Sequence, residues 1–215
     1  MCAPAYSYIE DRGFHLRGAV GAVLIGGVCL AVVCSTPLVP LGRGLRLVCT
    51  AAGWASFVAG AALRLWATLY VGGRKVGGRR ESVLTVDGPY SMVRNPLYLG
   101  SLAVGLSAAL LLQSGLVLAA VALAAWHYAR ITVPAEEHFL RSTCGAATFD
   151  DYCRRTPRFV PDVRLYRSPA EVTVYVKALR NEARRLLRLL PWCLGLTLLN
   201  ELRHTTAWPA WFALP

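Results

Sequence analysis

Two short stretches carry the residue types from which a site can be built. The first is Gly88-Pro89-Tyr90-Ser91-Met92-Val93-Arg94-Asn95-Pro96-Leu97-Tyr98. Pro96 just inside a helix start is ordinary punctuation. Arg94 beside that start faces the positive end of the helix dipole, which disfavours a cation. Two readings follow: a positive anchor at a membrane surface, or a guanidinium that meets an anion at a site. The second stretch is Glu136-Glu137, which stands alone among acids between Asp87 and Asp150 in a strongly basic part of the chain. Behind Pro134 these carboxylates suit the first turn of a helix, where the dipole favours them. Equally, one of them can bind a cationic or hydroxyl-bearing ligand.

The other chemistry-bearing residues form no catalytic constellation of the Ser/His/Asp or Cys/His kind. The glycine pairs at 72–73 and 77–78 signal turns, but no GxxxxGK[ST] is present and no GxGxxG follows a strand. His127 and His138 lack metal-ligand spacing. The seven cysteines are odd in number and include no CxxC. Neither a zinc site nor a disulfide framework is expected. Arg64 interrupts an apolar run, so it either snorkels to the interface or serves a site inside a membrane.

Such residues need a scaffold, and the composition identifies its solvent. Of 215 residues, 55% are hydrophobic and 16% charged, against about 25% charged in soluble domains. The net charge of +11 lies between long apolar stretches. That pattern fits a membrane-topology signal and not a nucleic-acid surface. Residues 18–42 carry no charge; 47–63 carry none and continue past Arg64 to residue 71; 95–129 are uncharged apart from His127. At 1.5 Å per residue, the first of these spans the roughly 30 Å hydrocarbon layer, whereas the third overshoots it. Gln113-Ser114-Gly115 therefore predicts a turn between two short helices, packed through Gly100, Ser101, Gly105, Ser107 and Ala108. The sequence Ser168-Pro169-Ala170-Glu171 predicts another helix start. Arg180, Arg184 and Arg188 then lie on one face of a basic amphipathic helix suited to an anionic membrane surface. Residues 189–200, interrupted by Pro191, are expected as a short fifth span with Trp208 and Trp211 in the far interface.

The expected fold is all-α: a polytopic helical membrane protein with four core transmembrane helices, a C-terminal fifth and a cofactor pocket at the cytoplasmic face. It divides into an N-terminal transmembrane hairpin (1–71), a core (72–167) and a basic helix with an apolar segment (168–215). Five cations in 72–96 and twelve in 130–190 assign both regions to the cytoplasm.

At the two stretches described first, the chain resembles the isoprenylcysteine carboxyl methyltransferase family, integral membrane enzymes that use S-adenosylmethionine. The resemblance rests on Gly88-x-Tyr90, Arg94-Asn95-Pro96-x-Tyr98-x-Gly100, Glu136-Glu137, Gly145, Tyr152 and Pro157-Arg158-Phe159-Val160-Pro161. These follow the family's order over about residues 45–162. The resemblance implies a cofactor pocket lined by Ser82, Val83, Leu84, Thr85, Tyr90, Asn95, Pro96, Leu97, Tyr98, Glu136 and Glu137, with an acceptor entering from the lipid side. Asn95 stands where the family often has His; it hydrogen-bonds but does not titrate near neutrality. Thr132 stands where eukaryotic members carry an acceptor-binding arginine, and Arg130 lies nearby. These two are the candidate acceptor residues.

The implied reaction needs mainly proximity, orientation and exclusion of water, because a sulfonium methyl is already activated. A carboxylate acceptor requires no base and would be oriented by Arg94 or Arg130. A thiol, amine or hydroxyl must lose a proton, toward Glu136 or Tyr98. Arg94 and Glu136 are thus the candidate catalytic residues. The expected partners are a lipophilic or lipid-linked acceptor and the bilayer, not nucleic acid, with the site facing the cytoplasm at a bacterial inner membrane. Two other functions suit the same scaffold: an NADPH-dependent lipid or sterol-type reductase, and a non-catalytic membrane component.

Overall fold

Among the described residues, the first helix begins at Arg43. The computed structural model describes residues 42–71 and 84–204, and the backbone alone of 35–37 and 212–214. Outside the described residues lie most of the expected span at 18–42, the loop at 72–83 with Ser82 and Val83, and Trp208 and Trp211. The backbone of β1 (Ser35–Pro37) pairs in parallel with β2 (Phe212–Leu214). The helix expected to reach residue 42 therefore does not include these three positions. Pro37 and Pro40 lack the N–H that a helix interior needs.

The uncharged run after Arg46 forms α1 (Arg43–Val71), 29 residues long. A four-residue turn, α2 (Pro89–Met92), leads into α3 (Pro96–Leu112). The turn predicted at Gln113-Ser114 is present. Gln113 takes φ 51°, its N–H caps the Ala109 and Leu110 carbonyls, and the Ser114 hydroxyl accepts from the Val117 N–H at the start of α4 (Gly115–His127). The small residues of α3 do pack closely, but their tightest contacts are with α1 and not with the second half of the hairpin. A Cβ on Gly60 of α1 would come within 2.8 Å of the Gly100 carbonyl oxygen of α3. The Ser56 hydroxyl donates to the Ala103 carbonyl at 2.8 Å. These contacts bring two backbones together without intervening side chains.

Three expectations are corrected. The second half of the hairpin does not stop at 129. It runs through a π-helical turn (Tyr128–Thr132) into α5 (Val133–Cys144), so Gly115–Cys144 is one continuous stretch of 30 residues. Glu136 and Glu137 therefore do not sit at a free helix start. Pro134 has no N–H, and the widened turn absorbs it: the Val133 N–H reaches back five residues to the Tyr128 carbonyl. Next, Ser168-Pro169-Ala170-Glu171 does not open a helix. Helix α7 (Val176–Arg203) begins eight residues later. The intervening Val172-Thr173-Val174 is β-branched and disfavours helix, and the Arg167 backbone is already paired with Gly88. Finally, 189–200 is not a separate segment. Pro191 lies inside α7, which carries its basic first half and apolar second half as one 28-residue helix.

Helix α6 (Ala146–Arg155) follows Gly145, and a 3-10 turn at Val163–Leu165 precedes the extended approach to α7. Phe57, Leu111 and Cys193 bury together between α1, α3 and α7. Two helices, Arg43–Val71 and Gly115–Cys144, are long and apolar enough to cross a membrane. Only 17% and 11% of their apolar windows are buried. A soluble protein would cover such surface, so the exposed Leu47, Val58, Leu118 and Leu123 face lipid. Helix α3 is a shorter apolar helix, enclosed by α1, α4 and α7.

Candidate functional site

The residues 88–95 are held by a belt from the chain between Tyr152 and Arg167. Gly88 starts it with φ +62° and ψ −133°, a backbone conformation open essentially to glycine alone. A Cβ there would also run into the Tyr70 ring. The Gly88 N–H donates to the Arg167 carbonyl at 2.7 Å, the Asp162 N–H to the Met92 carbonyl at 3.0 Å, and the Arg94 N–H to the Pro157 carbonyl at 2.9 Å. Side chains complete the belt. The Tyr152 hydroxyl donates to the Tyr90 carbonyl at 2.8 Å, and Asn95 Nδ2 to the Arg158 carbonyl at 3.1 Å. Asn95 thus spends its amide on positioning the Pro157-Arg158 segment.

The anion that Arg94 requires is Glu137. Arg94 Nη1 lies 2.9 Å from Glu137 Oε1 and the same distance from Cys153 Sγ. Arg158 grips the same carboxylate with both arms of its fork, at 3.1 and 2.5 Å. Glu137 therefore joins α5 to both strands of the belt. Arg94 Nε is buried with no hydrogen-bond partner. Burial raises the Cys153 thiol above its usual value despite the nearby Arg94 charge, so this sulfur is a neutral packing group at pH 7.

Glu136 has different surroundings. It is exposed and its carboxylate lies beside the Tyr98 hydroxyl. The Tyr98 ring packs against Tyr128 at 4.7 Å between centroids. Tyr90 is buried close by. Its hydroxyl is pushed far above the ordinary phenol value by burial first, then by Tyr152 and Glu136, so it is a neutral donor at any working pH. The result is an accessible carboxylate beside two phenol rings tilted at 51° to each other. A carboxylate and electron-rich ring faces together suit a cation.

The expected site residues thus separate into two groups. Tyr90, Tyr98 and Glu136 come together, with Pro96 and Leu97 forming the helix turn beneath them. Arg94, Asn95 and Glu137 belong to the belt. Leu84 and Thr85 are half-buried on the approach to Gly88, Arg130 is exposed on the π-helical turn, and Thr132 is half-buried there. The sequence reading did not assign Tyr128 or the Arg158 side chain. Arg158 was visible only as part of a proline-bounded motif, and Tyr128 carried no local signal. Arg64 does not snorkel. It is paired inside the bundle with Glu182 of α7, a residue with no local mark of function.

A carboxylate beside two phenol rings on an apolar helical bundle narrows the class, and comparison with known proteins supplies the family. The profile of the phospholipid methyltransferase family matches residues 48–146. The chain belongs to this family, the membrane methyltransferases that include the isoprenylcysteine carboxyl methyltransferase-like proteins. Among relatives, the nickel-cobalt-cadmium resistance protein NccN of Alcaligenes xylosoxydans xylosoxydans is 36% identical over 160 residues, 71% of this chain and 68% of that protein. The cobalt-zinc-cadmium resistance protein CzcN of Cupriavidus metallidurans is 37% identical over 139 residues, 64% of this chain and 59% of that protein. No solved structure matches the chain.

Proposed function

We propose that the chain is an S-adenosylmethionine-dependent methyltransferase acting on a small lipophilic acceptor at the cytoplasmic face of a bacterial inner membrane. The observation that carries this reading is the exposed Glu136 carboxylate beside the Tyr98–Tyr128 ring pair, inside the family-matched segment. The donor set fits the cofactor's charges: a carboxylate accepts from amine or hydroxyl groups, and phenol faces attract a sulfonium. When bound, S-adenosylmethionine supplies a methyl group already activated by positive charge.

The chain's own residues do the rest. Glu136 and Tyr98 hold the cofactor's donors, while Tyr90, Pro96 and Leu97 form the apolar floor. Glu137, Arg94 and Arg158 fix α5 against the belt, so that Glu136 keeps its place relative to Tyr98. The burial of Tyr90 excludes water, which sharpens every electrostatic contact in the pocket. Arg130 and Thr132, on the widened turn facing lipid, receive the acceptor. A carboxylate acceptor would use the Arg130 guanidinium directly. A protic one would pass its proton toward Glu136.

The relatives' names concern metal resistance. Among the described residues no group of three or more His, Cys, Asp or Glu side chains gathers. We read any contribution to metal tolerance as a consequence of the methylated product. Purified protein in detergent is titrated with labelled S-adenosylmethionine and, separately, NADPH; a lipid extract then serves as acceptor, with products read by mass spectrometry. Saturable S-adenosylmethionine binding with a labelled lipophilic product is expected. NADPH binding instead would mark a reductase, and binding of neither a non-catalytic component.

A further inference from the structure

Arg64 lies about two turns before the end of α1, within the apolar bundle, and its guanidinium reaches two other helices at once. Its Nε and Nη2 each lie 2.6 Å from Glu182 Oε1 on α7. Its Nη1 donates to the Leu97 carbonyl at 3.3 Å and to the Ser101 hydroxyl, both on α3. Ser101 in turn donates to the same Leu97 carbonyl at 2.8 Å. The Glu182 side chain is 7% exposed and that of Arg64 22%, so the pair is largely shielded from water.

The chain makes room for this arrangement. A Cβ on Gly100 would stand 2.5 Å from Arg64 Cγ and 2.9 Å from the Gly60 carbonyl oxygen. The arginine stem therefore passes through space that only glycine leaves open. The Leu97 carbonyl it reaches belongs to the first turn of α3, one residue before Tyr98. Tyr90 lies in the fields of both Arg64 and Glu136, so the guanidinium and the candidate cofactor carboxylate flank one tyrosine.

We propose that Arg64 and Glu182 are positioning residues of the cofactor site: Glu182 orients the Arg64 fork, which clamps the Leu97 carbonyl and so sets Tyr98 against Glu136. The C-terminal helix is then part of the site's support, acting through Arg64. This rests on the reading of Tyr98 and Glu136 as cofactor-binding.

The test compares wild type with Arg64→Lys, Gly100→Ala and the exchange Arg64→Glu/Glu182→Arg, all in detergent. Thermal midpoint and labelled S-adenosylmethionine affinity are measured on each. Lysine keeps a charge for Glu182 but lacks the fork needed to serve Leu97 and Ser101 as well. Arg64→Lys should keep a midpoint near wild type while affinity falls about tenfold, the size of one lost charged hydrogen bond. Gly100→Ala should weaken affinity in the same direction by displacing the arginine stem. The exchange should restore the ion pair yet not the affinity, because a carboxylate at 64 cannot donate to the Leu97 carbonyl. Wild-type affinity in folded Arg64→Lys, or a loss that only tracks the unfolded fraction, overturns the inference and leaves the cofactor reading intact. Absence of S-adenosylmethionine binding in wild type takes down both.

Discussion

Glu136 and Glu137 are sequence neighbours separated by about 100° around their helix, and the fold gives them different partners. Glu137 is shared by Arg94 and Arg158 with its side chain 19% exposed, whereas Glu136 is exposed and meets Tyr98. Their isosteric variants should therefore fail differently. Glu136→Gln should leave the thermal midpoint alone and weaken S-adenosylmethionine binding by about 1.5–3 kcal/mol, the range for hydrogen bonds to charged groups; equilibrium dialysis reads this. Glu137→Gln leaves two guanidiniums facing each other without a counter-charge. A fully buried pair so broken costs about 3–5 kcal/mol; partial exposure here lowers that to roughly 2, visible as reduced thermal stability before any effect on binding. Equal behaviour of the two variants in both assays would sink the division of roles. Much at this scale was legible. Arg94 needed an anion because of its place by a helix start, and the acids at 136–137 stood alone in a basic part of the chain. Which glutamate met the arginines was not, because a twofold choice on one helix depends on the π-helical turn upstream.

That turn is the element on which the site's geometry rests. A π-helical turn holds one residue more than an α-helix needs, while the faces before and after it stay in phase. The prediction is specific. Deleting Ile131, which is 49% exposed, should regularise the helix while keeping Glu137 on its arginines, with a thermal midpoint close to wild type. Deleting one residue from α4, such as Leu118, should rotate everything downstream by about 100° and abolish folding. Size-exclusion profiles and thermal scans of the two deletions decide it; an unfolded Ile131 deletion would count against an absorbed extra residue. Sequence patterns served best where a single residue sets the local geometry, as at Gln113-Ser114. They failed where competing local signals met. The capping signature at Ser168 lost to the β-branched run behind it and to the Gly88–Arg167 pairing. Pro191 did not end its helix, because packing of Leu186, Cys193 and Asn200 on the inner face continues across it.

For the molecule as a whole, the cation distribution and the lipid-facing surfaces of α1 and α4 predict an orientation. A reporter fused near Arg155 should lie in the cytoplasm and one near Ser114 outside; a cytoplasmic signal at Ser114 would reverse the placement of the site. The bundle's helical, membrane-embedded class was plain from composition alone. The tie between its two ends was not, since Arg64 and Glu182 are 118 positions apart and neither residue announces the other. That separation has a consequence during synthesis. At about 5–20 residues per second, α1 leaves the ribosome roughly 6–24 s before its counter-ion does. Over that interval a nascent chain carries an arginine in an apolar helix with nothing better than the Leu97 carbonyl and the Ser101 hydroxyl to hold it. A charge so placed is costly in hydrocarbon. Among the described helices, the last to be translated thus brings the counter-charge for which α1 has to wait.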